Sequence, residues 1–146
     1  MFLHRLLLWL IVFFSRCKQK CTFVFAEQMG FNEDEIRSLI IRNAVLWTKQ
    51  VNRDYPKDIV RSFEYVNTTM QINHEQILKF PLILLRRVRL IRERHLYLKS
   101  LNRDQYDPTK PLYVPLGAFF QIDDAQFCIE YAKTCIDDFN RFLKTI

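Results

Sequence analysis

A chain of 146 residues, 49% apolar and 26% charged, has the balance of one folded domain rather than of a disordered segment, and its length requires no second core. With only Gly30 and Gly117 as glycines, all-β architectures, which need many turns with special backbone angles, are disfavoured against helices on short connections. The net charge of +6 is uneven, with +4 in residues 1–26, −1 in 27–84, +5 in 85–110 and −2 in 111–146, so a localised anion-binding patch is predicted rather than a uniformly basic protein.

The chain opens with "MFLHRLLLWLIVFFSRCKQKC". Its apolar run Leu6–Phe14 has nine residues, far short of the ~20 needed to cross hydrocarbon, so no stable membrane insertion is predicted. Arg16, Lys18 and Lys20 follow the run, the reverse of a secretory leader. The absence of acids before Glu27 suits a mitochondrial presequence. A core helix beginning here, or a signal anchor, stays open beside it. Residues 1–26 are therefore set apart as a targeting or cap segment, and 27–146 as the folded domain.

From Phe31 onward the pattern is helical. "FNEDEIRSLIIRN" offers Asn32 as N-cap with Glu35 three residues later and a stripe of Ile36, Leu39 and Ile40. "DYPKDIVRSFEYVN" starts a second helix with Pro56 in its first turn and Ile59, Val60, Phe63 and Val66 inward. "NHEQILKFP" repeats the capping pattern with Asn73 and Gln76, and Pro81 stops that helix. The next helix is predicted from about Arg87 to Leu101, with Val88, Ile91, His95 and Leu98 on its apolar side, where His95 reads as a core histidine. "DQYDPTKPLYVP" reads as an ordered loop pinned by Tyr106. "DDAQFCIEYAK" follows, with Asp123 as cap, Gln126 at the third position and Phe127, Tyr131 and Ala132 inward. The last helix is predicted to be capped by Thr134 with Asp137, burying Ile136, Phe139, Phe142 and Leu143.

An internal echo runs through these elements. "IIRNAVL" aligns with "ILKFPLI" at an offset of 37 residues, and "FEYV" with "HLYL" at 32. Periods of this size predict an all-α solenoid in which neighbouring helix pairs bury a shared core, and Trp47 is expected to close the first repeat. Cys17, Cys21, Cys128 and Cys135 match no zinc spacing, so no metal or other cofactor is expected, and Cys128 and Cys135 are predicted to be buried thiols. Neither a phosphate-binding loop nor a nucleophile elbow is present. The Asp123–Asp124 and Asp137–Asp138 pairs fall where helix starts favour acids, so no enzyme activity is expected.

"EIRSLIIRNAVLW", "ILKFPLILLRR", "RLIRERHLYLKSLNRDQYDPTKPLYV" and "DFNRFLKTI" together resemble the carboxy-terminal repeats and tail of metazoan mTERF proteins, the mitochondrial transcription termination factors. The resemblance covers roughly residues 27–146. It implies a superhelix of repeats, each two α-helices plus a short 3₁₀ turn, with the repeat's usual proline at Pro81 and Ala44 in the equivalent place of the first repeat. It further implies a protein of the mitochondrial matrix that binds double-stranded mitochondrial DNA along a basic face and regulates transcription termination or initiation. Some family members act instead on ribosomal RNA and mitoribosome assembly, and a third reading is a module binding a mitochondrial protein partner. About two repeats is fewer than members usually carry, so the chain reads as a short or truncated member that follows only part of a duplex turn.

The candidate DNA-binding residues are Arg86, Arg87, Arg89, Arg92, Arg94, Lys99 and Arg103, with Arg42 and Arg61 as weaker candidates. Six of the seven cations between Arg86 and Arg103 are arginines, whose planar fork suits phosphate oxygens. On a continuous helix they would extend over about 25 Å. Seven phosphate contacts would give a log–log salt slope of about −6, and four about −4.

Overall fold

The computed structural model describes residues 24–43, 45–48 and 55–146, with only the backbone described at 47, 48, 55 and 56. The amino-terminal segment before Val24, Ala44 and the Trp47 side chain lie outside the described residues. After a wide turn at Val24–Gln28 come α1 (Glu33–Arg42), α2 (Val45–Thr48), α3 (Tyr55–Glu64, prolonged by wider turns through Thr69) and α4 (His74–Lys79). A 3₁₀ turn at Pro81–Leu85 leads into α5 (Val88–Ser100). A second 3₁₀ turn (Leu116–Phe119) precedes α6 (Asp124–Phe127, prolonged through Ala132) and α7 (Ile136–Leu143). No strand occurs among the described residues; Gln105 and Tyr113 form one isolated bridge that ties the proline-rich loop together. The fold is an all-α helical-repeat solenoid.

The repeat is written most clearly at the helix ends. "MGFNEDEI" (Met29–Ile36) and "MQINHEQI" (Met70–Ile77) adopt one conformation 41 residues apart. In each, a buried methionine precedes a left-handed residue, Gly30 (φ 73°) or Gln71 (φ 56°). The next residue's N–H then donates to a carbonyl six residues back: Phe31 to Phe25 at 3.0 Å, Ile72 to Val66 at 3.1 Å. Lys133 (φ 58°) and Thr134, donating to Cys128 at 3.0 Å, close α6 in the same way. A left-handed residue lets the chain reverse while orphan carbonyls stay bonded.

The predicted capping boxes close as expected. Glu35 N donates to Asn32 Oδ1 and Asn32 N to Glu35 Oε2, both at 2.9 Å. Gln76 N donates to Asn73 Oδ1 at 2.9 Å, and Asn73 N to Gln76 Oε1 at 3.4 Å. Buried Phe31 and Ile36, and Ile72 and Ile77, flank the two caps as hydrophobic staples. Both helices then end on the same backbone turn, Asn43 (φ −135°, ψ 57°) and Phe80 (φ −140°, ψ 67°), and Pro81 opens the 3₁₀ turn instead of continuing α4. Ten residues in α1 against six in α4 explain why the helix starts lie 41 apart and the ends 37.

Three carboxy-terminal details differ from expectation. The α7 cap is Cys135 rather than Thr134, because Thr134 Oγ1 is taken by the Tyr97 hydroxyl at 2.8 Å. Cys135 is exposed, its Sγ 3.2 Å from Asp138 Oδ2, while Cys128 is buried as predicted. Lys133 breaks the helix between them, so the two cysteines do not share one helical stripe. Gln126 donates to Glu130 at 2.7 Å rather than back to the cap.

One apolar cluster runs the length of the described domain. α3 packs on Pro81–Leu85 and α5, and α5 in turn packs on α7 and Leu116–Phe119. Val66, Ile77, Ile83, Ile91, Leu98, Phe119 and Phe127 are essentially inaccessible. This places α3 and α5, the last helices of successive repeats, side by side with their polar faces outward. Among the described residues no helix is long and apolar enough to cross a membrane, and no three metal-ligating side chains cluster.

Candidate nucleic-acid interface

Helix α5 begins against the usual electrostatics. Its N-cap, Arg87, makes no side-chain capping bond, Arg89 lies in the first turn, and no acid stands there. Every other described helical segment of six residues or more has an acid in its first turn. Cations at a helix N-terminus oppose the macrodipole. A local rule broken without a structural return marks a place where another requirement acts.

Helical spacing then sorts the arginines. At 100° per residue, Arg89, Arg92 and Lys99 fall within about 80° of one another, whereas Ile91, Arg94, His95 and Leu98 share the opposite stripe. Arg87, Arg92 and Lys99 are exposed and form no ion pair among the described residues. Arg89 is also exposed, but its Nε donates to Glu93 Oε1 at 2.7 Å, which holds its guanidinium pKa above the ordinary value.

Three predicted residues turn away from this face. Arg94 is 2% exposed: Nη1 donates to the Ala118 carbonyl and Nη2 to Asp124, each at 2.7 Å, and its guanidinium stacks 4.6 Å above the Phe127 ring. It fastens the carboxy-terminal unit to α5. Arg86 is half-buried and donates to the Gln121 carbonyl at 3.1 Å, while its Nε is buried without a partner. Burial, with Arg94 nearby, lowers the Arg86 pKa, and Asp124 partly offsets this. Arg103, half-buried past the end of α5, also has an unpartnered buried Nε. Arg42 is exposed but lines a separate cleft of about 520 Å³ with Ser38, Glu75 and Lys79.

Arg61 is brought to the start of α5. It is exposed on α3, only loosely paired with Asp58 at 3.9 Å. With Glu64, Tyr65, Thr68, Thr69 and Val88 it lines an open groove of about 590 Å³ between α3 and the start of α5. Burial raises the Tyr65 hydroxyl pKa and the Arg92 charge opposes that rise. Tyr65, Thr68 and Thr69 were not singled out in the sequence, although 61, 65 and 68 are spaced three and four apart along one helical face. They supply hydroxyls beside the Arg61 guanidinium, the chemistry that phosphate oxygens accept.

His95 sits behind this face as a core residue, as expected. Its Nδ1 lies 2.7 Å from the Tyr106 hydroxyl and its ring stands edge-on to Tyr65. Burial holds its pKa below the ordinary value, opposed by Asp104 and reinforced by Lys99. Because the folded state disfavours the proton, this contribution is intact above the unfolded pKa of about 6.5 and is lost as pH falls below it. Urea midpoints should therefore fall between pH 7.5 and pH 5 in the wild type, and less in His95→Gln.

No family model matches the chain. Curated relatives do. The mitochondrial transcription termination factor 3 of Drosophila melanogaster is 36% identical over 127 residues, which is 87% of this chain and 34% of that protein. Those of Rattus norvegicus and Mus musculus are 46% and 47% identical over 90 residues, each 62% of this chain and 22% of the relative. The chain belongs to the mTERF family. It spans 22% to 34% of the length of these mTERF relatives.

Proposed function

We propose that this chain is a mitochondrial nucleic-acid-binding protein of the matrix that holds double-stranded DNA against the α3–α5 face and regulates transcription there. The single observation that carries this is the set of exposed α5 cations Arg87, Arg92 and Lys99, unpaired among the described residues, on a helix that starts where acids are favoured and whose first residue, Val88, shares a groove with Arg61 and the hydroxyls of α3. The names of the relatives, mitochondrial transcription termination factors, support the compartment and the process. Arg61, Arg87, Arg92 and Lys99 are the phosphate ligands in this reading, with Tyr65, Thr68 and Thr69 beside them. Such contacts position a protein on the duplex without reading bases.

The test is a salt-titrated competition between duplex DNA and structured RNA. Four phosphate contacts give a slope of log K against log salt of about −4 for the duplex. Tighter binding to the RNA at every salt concentration would move the assignment to ribosomal RNA, and no detectable affinity for either would leave only a protein-binding module.

A further inference from the structure

Glu93 is the only acid between Glu75 and Asp104, and it stands in the middle of the most basic helix. Helix stability does not account for it. Mid-helix it cannot complement the macrodipole, and an arginine four residues before a glutamate is the weaker order for such a pair. The carboxylate is also mostly covered, its side chain 19% exposed, while Arg89 beside it is 83% exposed. The pair sits next to Arg92 on the face turned to solvent.

Building on the interface proposed above, we infer that Glu93 is a brake on nucleic-acid binding: it holds Arg89 in an internal ion pair, so Arg89 neutralises no phosphate and the duplex is held more weakly and reversibly. An approaching phosphate must compete for Arg89 with a carboxylate already bonded at 2.7 Å, and it also meets that carboxylate's negative charge. Removing the acid releases one guanidinium to the backbone and steepens the salt dependence by one contact.

The experiment measures anisotropy of a labelled 20-bp duplex against the full chain, from 50 to 200 mM salt, for wild type, Glu93→Gln and Arg89→Gln/Glu93→Gln. Glu93→Gln should bind about tenfold more tightly at 50 mM salt, with a slope steeper by about 0.9. The double variant, which removes both charges, should return to the wild-type slope. Losing one i,i+4 helical pair, its arginine exposed, should move the melting temperature by no more than about 3 °C. Glu93→Ala serves as a second release variant with the same expected steepening. A wild type that binds with a salt slope, and release variants that keep that slope, would overturn the brake alone. A wild type with no salt-dependent affinity would remove the interface and the brake together.

Discussion

Replacing Arg87, Arg92 and Lys99 together with alanine should cut duplex affinity by roughly several hundredfold at 0.1 M salt, and flatten the salt slope from about −4 to about −1. The three side chains are exposed and unpaired among the described residues, so their removal breaks no recorded ion pair. Removing Arg87 from the start of α5 relieves a conflict with the macrodipole, while removing Lys99 from its last turn gives up a favourable interaction, so the melting temperature should change little. Net charge alone could mimic the loss. A matched variant, Lys133, Arg141 and Lys144→Ala, removes as much charge from the acidic carboxy-terminal quarter. If binding depends on the α5 row, that control keeps a slope near −4; equal losses in both variants would mean that only overall charge is being sensed.

The helices, the caps of α1 and α4 and the family were legible because each rests on local chemistry. Asn32 with Glu35 and Asn73 with Gln76 need only three residues of spacing to be recognised, and Pro81 announces its own break. The period was read less well, since offsets of 37 and 32 follow helix ends and second helices, whereas the shared starts lie 41 apart. The lengths of α1 and α4 separate the two measures, and length is set by where tertiary packing ends a helix rather than by its cap. Among the arginines, charge density alone does not separate exposed side chains from interior ones. Yet Arg94 follows Ile91 by three residues and precedes Leu98 by four, which places it on the apolar stripe. What makes it an interior residue is Asp124 and Phe127, 30 and 33 positions away, a pairing that no local pattern carries. The groove residues Tyr65, Thr68 and Thr69 were likewise hidden, because only the packing of α3 on α5 gives them a common neighbour.

Arg94→Ala should lower stability by about 3 kcal/mol, and the melting temperature by ~10 °C, the largest structural effect of any single cation here. Its guanidinium is inside the protein and bonded at both ends, so truncation leaves the buried Ala118 carbonyl without its donor and removes the cover from the Phe127 ring. An unsatisfied buried acceptor costs about 1–3 kcal/mol, and a desolvated cation–π contact contributes about 2. Asp124 is half exposed and recovers water, which keeps the loss below the upper end for a broken buried pair. Arg94→Met retains the aliphatic stem and buries no charge, so it should lose about half as much. Arg94→Lys keeps a charge without the fork and cannot serve Ala118 and Asp124 in the same geometry, so it should stay close to alanine. Below their melting temperatures all three should keep the wild-type salt slope for duplex binding, because the side chain points into the fold. An alanine variant that melts like the wild type and loses one unit of slope would place Arg94 on the ligand face instead, and with it the whole sorting of α5 into an inner and an outer stripe would fail.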